Sequence, residues 1–127
     1  MKFKIYIVLV CCLLATGLTG CFKDILDPGD PDAPALPVSF SAELIPLFTT
    51  KCATSGCHDA IPSHKPSLTA DNAFNEIKNG GLIDVNVPAS SKLYGLVKSG
   101  EMPTTGPLKV KDVQKIYDWI RNGAPNN

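Results

Sequence analysis

The chain has 127 residues, a length typical of one domain. Its twelve Lys and Arg side chains balance twelve Asp and Glu side chains, so the formal net charge at pH 7 is zero. Nucleic-acid binding needs a basic surface, and nothing in this balance points to one. The sequence also lacks a nucleophile elbow, a phosphate-binding loop and a dinucleotide-binding glycine motif. Composition and motifs therefore exclude the commonest nucleic-acid-binding and enzyme classes.

Residues 1–20 have the pattern of a secretory signal peptide. Lys2 and Lys4 form a basic start, and residues 5–20 then run without a charge. This apolar run is shorter than the about 20 residues that a membrane-spanning helix needs. It ends in Leu-Thr-Gly before Cys21, which resembles a bacterial lipobox, where cleavage precedes the cysteine and the cysteine is lipidated. We expect a lipid anchor on Cys21 that holds the protein in the bacterial cell envelope, outside the cytoplasm. The alternatives are an uncleaved anchor and an incidental cysteine.

Residues 21–37 are predicted to be a tether between the lipidated cysteine and a domain over residues 38–127. Prolines recur at every third position from Pro28 to Pro37, interleaved with aspartates. This pattern disfavours helix and sheet and favours an extended chain. At about 3.1 Å per residue, such a tether could hold the domain up to roughly 50 Å from the anchor.

An apolar stripe precedes the first cysteine of the predicted domain. Ser39 or Ser41 can cap a helix that runs toward Cys52, because a serine hydroxyl accepts hydrogen bonds from the first turn. We place Pro46 in that first turn, where its missing N–H costs little. The stripe consists of Leu44, Ile45, Leu47 and Phe48.

Cys52, Cys57 and His58 form a C-x-x-x-x-C-H pattern. The commoner c-type haem attachment signature is C-x-x-C-H, and the longer gap here includes Gly56. The two thiols can add across the two vinyl groups of a haem, and the adjacent histidine can then donate an imidazole nitrogen to the iron. The longer gap must bulge outward, which a glycine permits at low backbone cost. The pattern therefore predicts a covalent haem c on Cys52 and Cys57, with His58 as the proximal ligand.

Three further helices are predicted along the rest of the chain. Residues 69–79 have apolar residues at helical spacing before a glycine pair, and residues 81–88 then read as extended. Ser90 or Ser91 can cap a short third helix, and the last helix runs from about residue 110 to residue 122, with Lys109 as a poor cap. Trp119 is interpreted as a core aromatic residue rather than a haem contact. The predicted buried residues are Ala70, Ala73, Phe74, Ile77, Leu93, Tyr94, Val97, Val113, Ile116, Tyr117 and Ile120.

Met102 is the only methionine that remains once the signal peptide is removed. A lone methionine usually fills a gap in a core, but this one lies in a loop between Gly100 and Pro103. A thioether stiffened by a following proline suits the sixth coordination position of a haem, opposite His58. We therefore predict Met102 as the distal ligand. A haem with both axial positions filled does not readily bind oxygen or peroxide, so we expect electron transfer rather than catalysis.

Residues 38–127 resemble the small single-haem cytochrome c domains of exported bacterial proteins, especially the Bacteroidetes type. The matching stretches are I-P-L-F at 45–48, C-A-T-S-G-C-H-D at 52–59, S-K-L-Y at 91–94, M-P at 102–103 and W-I-R-N-G-A at 119–124. They occur in the order found in that family. The resemblance implies an all-α, class I-like cytochrome c domain of about four short helices around a covalent haem. It also implies that Cys52 and Cys57 carry the haem, with His58 proximal and Met102 distal.

Two other uses of these residues remain open. Cys52, Cys57, His58 and His64 could supply four zinc ligands, or the two cysteines could form a disulfide, and either would describe a structural lipoprotein. A third alternative is a haem-based gas or redox sensor in which Met102 leaves the iron. His64 is interpreted as an exposed loop residue.

The sequence thus predicts a membrane-anchored electron carrier, not an enzyme. Its expected partners are the membrane, through the lipid anchor, and redox proteins that dock transiently. We expect no small-molecule substrate and no nucleic acid.

Overall fold

The computed structural model describes residues 33–127. The predicted signal peptide, Cys21 and residues 22–32 of the predicted tether lie outside this range. Within it, no helix is both long enough and apolar enough to cross a bilayer.

The domain begins with a wide helical turn, Phe40–Leu44, which continues directly into helix α1, Ile45–Lys51. The Ser39 hydroxyl accepts a hydrogen bond from the Ala42 N–H at 3.2 Å, so the predicted cap is confirmed. In the wide turn, N–H groups bond to carbonyls five residues earlier, as in a π-helix. This turn precedes Pro46, whose ring lacks an N–H and crowds the carbonyl four residues before it. Pro46 itself lies in the first turn of α1, as expected.

Helices α2, Ala73–Asn79, and α3, Lys92–Lys98, follow in the predicted order. Helix α2 begins four residues later than predicted because residues 69–72 form a separate turn, and this leaves Ala70 exposed rather than buried. The stretch before α3 is irregular and ends in a 3₁₀ turn, Pro88–Ser90. Ser91 occupies the N-cap position of α3, but its buried hydroxyl bonds to the backbone N–H and carbonyl of Asp84 instead.

Helix α4, Val110–Arg121, packs against both the wide N-terminal turn and α3 and is the centre of the core. Trp119 is fully buried, as expected for a core aromatic residue, and its ring centroid lies 5.0 Å from that of Phe40. Phe40 also contacts Phe48 and Phe74 edge to face, so one aromatic cluster joins the first turn, α1, α2 and α4. Gln114 and Asp118 are buried too, which the apolar spacing did not predict.

The end of α4 holds the start of the described chain. The Arg121 guanidinium donates to the Ala33 carbonyl, and the Asn122 amide donates to the Leu36 carbonyl at 2.7 Å. The Asn127 side chain accepts from the Phe40 N–H at 2.8 Å. Residues 33–37, which the sequence assigns to the tether, therefore contact the folded domain.

Across residues 33–127 the structure contains four α-helices and no strand, which confirms the all-α class. Of the predicted buried residues, Ala73, Ile77, Leu93, Tyr94, Val97, Val113, Ile116, Tyr117 and Ile120 are buried, and Phe74 is partly buried.

A pH-dependent contribution to stability is expected from Glu43. The hydrogen-bonded Lys115 ammonium, 2.8 Å away, and the Ser39 N–H, at 3.2 Å, both lower the pKa of this carboxyl. A lowered folded-state pKa stabilises the domain above the unfolded-state pKa, and the contribution disappears as the pH falls through the folded-state value. Glu43→Gln should therefore lower the free energy of unfolding by about 0.5 kcal/mol at pH 7, the usual scale for a partly exposed pair.

Urea unfolding of wild type and Glu43→Gln between pH 7 and pH 3 measures this difference. The two proteins should converge at the acid end of the range. Glu101→Gln, at an exposed position, is the matched control and should show no comparable loss. A Glu43→Gln difference that stayed constant down to pH 3 would contradict the assignment.

Candidate functional site

Cys52, Cys57 and His58 lie on one segment that folds back on itself at the end of α1. Cys52 follows the last turn of α1, and its N–H donates to the Phe48 carbonyl at 2.8 Å. The His58 N–H donates to the Cys52 carbonyl at 3.2 Å, which joins the first cysteine directly to the histidine. The Cys57 N–H donates to the Thr54 carbonyl at 3.0 Å and closes the turn between the two cysteines.

The gap between the cysteines bulges outward, as its length predicts. Thr54, Ser55 and Gly56 are all exposed. Gly56 has a φ of +79°, in the left-handed region that side chains rarely adopt, so a glycine is needed at this turn. The bulge lets two cysteines that are five residues apart belong to one compact turn.

The backbone of the following loop fixes the side chain of His58. Its Nδ1 lies 2.8 Å from the Pro66 carbonyl oxygen and 3.0 Å from the His64 carbonyl oxygen. Carbonyl oxygens only accept hydrogen bonds, so Nδ1 must carry the proton and share it between them. The other ring nitrogen, Nε2, is then the unprotonated one and has a lone pair for a metal ion.

The loop that supplies these carbonyls is itself held against the domain. The Leu68 N–H donates to the His58 carbonyl at 2.8 Å, and Ser67 and Leu68 are buried. Lys65 pairs with Glu76 of α2 at 3.1 Å on the surface. The orientation of His58 therefore depends on the folded path of residues 59–68.

Both cysteines are free thiols in the structure, which does not contain the disulfide of the second alternative. Cys52 packs against the hydrophobic core, and burial raises the pKa of its thiol to about 11. Cys57 is partly exposed. Conversion of Cys52 to a thioether would remove an ionisable group from an apolar environment.

The donors of the zinc alternative do not assemble. Among residues 33–127, no three His, Cys, Asp or Glu side chains form a group that could hold a metal ion. The side chain of His64 is exposed, as the sequence predicts, and its contribution to the site is its backbone carbonyl.

Met102 lies on a separate loop between α3 and α4. Its N–H donates to the Leu96 carbonyl at 3.1 Å, and Pro103 after it is buried. The thioether side chain is partly exposed. The structure therefore anchors the backbone of this loop on α3, and Met102 is not among the residues that pack against the hydrophobic core.

Two features of the site were not recognised in the sequence. The first is the pair of carbonyl acceptors at His64 and Pro66, which no side-chain motif can reveal. The second is Asp59, whose carboxylate accepts hydrogen bonds from the N–H groups of Gly56 and Ile61. An aspartate directly after His58 and three residues after Gly56 was the sequence signal that could have indicated this hydrogen bonding.

Two open depressions on the described surface lie away from the segment 52–68. One, of about 460 Å³, is lined by residues between Gly81 and Lys92, and another, of about 290 Å³, lies along α2. No residue of the segment 52–68 lines either of them.

The donor set of the segment 52–58 fits the attachment of a haem. Two unbridged thiols lie on one turn, and the adjacent imidazole is held in the tautomer that leaves Nε2 free.

Comparison with known proteins adds no relative: no family model, curated protein or solved structure matches the chain.

The tautomer of His58 can be tested directly. Because Nδ1 faces two carbonyl oxygens, the imidazole should carry its proton on Nδ1 at neutral pH. Nitrogen-15 NMR of the chain with both thiols reduced and no metal bound distinguishes the two tautomers by their nitrogen shifts and couplings to the ring protons. A neutral ring protonated on Nε2 would contradict the geometry and remove the basis for metal ligation by that atom.

Proposed function

We propose that this protein is an electron carrier that holds one haem c and is anchored to a membrane outside the cytoplasm. Cys52 and Cys57 form the thioethers, His58 and Met102 are the axial ligands, and Cys21 carries the lipid. The observation that supports this best is the orientation of His58, whose Nδ1 is occupied by two backbone carbonyls. A histidine fixed in this way directly beside an unbridged cysteine is suited to metal ligation.

Attachment needs only the groups that the segment provides. Each thiol would add its sulfur and its hydrogen across one vinyl C=C bond of the haem, so a C–S bond and a C–H bond would form and the π bond would be lost. No group leaves, and the addition involves no net oxidation or reduction. Cys52, from the end of α1, and Cys57, from the bulge, each supply one such thiol.

The axial residues determine which chemistry the bound group supports. When bound, haem supplies a one-electron couple between Fe(II) and Fe(III). The Nε2 of His58 and the sulfur of Met102 would fill both axial positions and leave no open position for a substrate. A methionine and histidine pair also raises the reduction potential relative to two histidines, because the thioether favours reduced iron. The expected encounters with redox partners are small and transient.

Covalent attachment is the first test of this proposal. The mature protein, produced in a host that attaches haem c, should retain its haem through denaturation and acid–acetone extraction. Cys52→Ala should give a poorly matured product with one thioether, and the Cys52→Ala/Cys57→Ala double variant should retain no covalent haem. Mass spectrometry of the denatured chains measures this. Complete recovery of the haem in the solvent from wild type would reject the proposal.

Whether the Met102 sulfur binds the iron firmly distinguishes an electron carrier from a haem-based sensor. Met102→Leu keeps an apolar side chain of similar volume but removes the sulfur, so it should open the sixth position with little change in packing. It should lower the reduction potential and allow ferrous protein to bind carbon monoxide, while the haem stays attached. Met102→His should keep the iron six-coordinate and also lower the potential, because imidazole stabilises ferric iron better than a thioether does.

Carbon monoxide titration and potentiometry of the three proteins provide the readout. Wild type should resist carbon monoxide and have the highest potential. If wild type binds carbon monoxide as readily as Met102→Leu, Met102 is not a firm ligand and a gas or redox sensor replaces the carrier.

A further inference from the structure

Asp59 bridges the two sides of the Cys57–His58 pair. Its Oδ2 accepts a hydrogen bond from the Gly56 N–H at 3.1 Å, and its Oδ1 accepts one from the Ile61 N–H at 3.2 Å. Gly56 precedes the pair and Ile61 follows it. One carboxylate therefore ties together the backbone on both sides of the second cysteine and the histidine.

The bulge has few other restraints. Thr54, Ser55 and Gly56 are exposed, and a side chain at Gly56 would meet nothing within 4 Å, so no tertiary packing surrounds it. Within the bulge, the Cys57 N–H bonds to Thr54, and Cys52 accepts from His58 at its base. The bond from Gly56 to Asp59 is the restraint that links the outer part of the bulge to the chain beyond the histidine.

The bond from Gly56 to Asp59 matters because four residues separate Cys52 from Cys57. A gap of two residues leaves the chain between the cysteines little freedom, whereas each extra residue adds backbone conformations that must be given up when both thioethers form. Cys52 is held by α1 and the core, whereas Cys57 is joined to them through the exposed bulge on one side and, on the other, through His58, whose N–H bonds to the Cys52 carbonyl. The position of the second sulfur relative to the first therefore depends on how well the bulge is ordered.

We propose that Asp59 is a positioning residue for haem attachment, acting as a clamp that keeps Cys57 and His58 in register with Cys52. This role rests on the proposed function, because it concerns the same two thioethers. The two-sided bond needs two acceptor oxygens, which a carboxylate provides. An asparagine has one acceptor oxygen and can satisfy only one of the two N–H groups.

Three variants of the full chain test the clamp. Asp59→Ala removes both acceptors, and Asp59→Asn keeps the shape and one acceptor. Asp71→Ala is the matched control, because it removes the same charge. Asp71 is exposed and lies twelve residues from Asp59 along the chain. Asp59 lies on a partly exposed loop outside the hydrophobic core, so these changes leave the core unchanged.

The first readout requires neither haem nor lipid. Amide hydrogen exchange at Gly56 and Ile61 should accelerate in Asp59→Ala by a few-fold to about tenfold, the range for loss of one hydrogen bond. Asp59→Asn should accelerate exchange at one of the two amides, and Asp71→Ala at neither. Unchanged exchange at both amides in Asp59→Ala would overturn the clamp.

The second readout is the number of thioethers. Asp59→Ala should reduce the share of chains attached through both cysteines several-fold, Asp59→Asn should be intermediate, and Asp71→Ala should match wild type. Mass spectrometry of cysteine-containing peptides counts the bonds. A haem with one thioether also keeps one conjugated vinyl group, which moves its reduced absorption bands to longer wavelength.

The two readouts separate the possible failures. Faster exchange with an unchanged two-thioether share would mean that Asp59 orders the bulge without positioning attachment, and would overturn the proposal. Wild type that carries no covalent haem would overturn the proposed function and this role with it, while the exchange experiment would still report whether Asp59 orders the bulge.

Discussion

The shared hydrogen bond from His58 Nδ1 to the carbonyls of His64 and Pro66 is the constraint on which the candidate site depends. It determines which ring nitrogen is free, and it links the cysteine segment to the loop that follows. Without it, the imidazole could rotate or exchange tautomers, and a ligand for iron would first have to be ordered. The loop is in turn closed by the bond from Leu68 to the His58 carbonyl. The site is therefore organised by backbone groups as much as by its side chains.

The rest of the domain determines where this segment lies. Phe40 contacts Trp119 of α4, which fixes the wide first turn and hence the direction of α1. Cys52 then follows α1 at the edge of the core, and the Met102 loop is fastened to α3 through Leu96. Helix α3 packs on α4 directly, and α1 is joined to α4 through the wide first turn. The cysteine–histidine segment and the Met102 loop therefore belong to one packed unit. A change in α4 should therefore affect both ends of the site.

The sequence predicted the helices well where apolar spacing dominates and less well where local hydrogen bonds compete. Helix α3 and the buried face of α4 follow the periodicity closely, whereas Ala70 was placed in a helix that starts only after a separate turn. Ser90 or Ser91 was expected to cap α3; Ser91 occupies the cap position, but its hydroxyl bonds to the backbone of Asp84 instead. Such choices depend on groups that approach only after the chain has folded. The same reason applies to the carbonyls of His64 and Pro66, which meet the His58 ring only when the loop between them has folded.

A reduced-minus-oxidised spectrum is the sharpest test of the proposal that Cys52, Cys57 and His58 hold a covalent haem. The protein should be matured in a host that attaches haem c, denatured, freed of unbound haem by acid–acetone, and then examined in the reduced and oxidised states. Before denaturation, we expect the sharp bands of a low-spin c-type haem in the native protein, and after extraction we expect haem bands that remain with the chain. A chain without visible absorption after maturation would show that these residues do not hold a covalent haem.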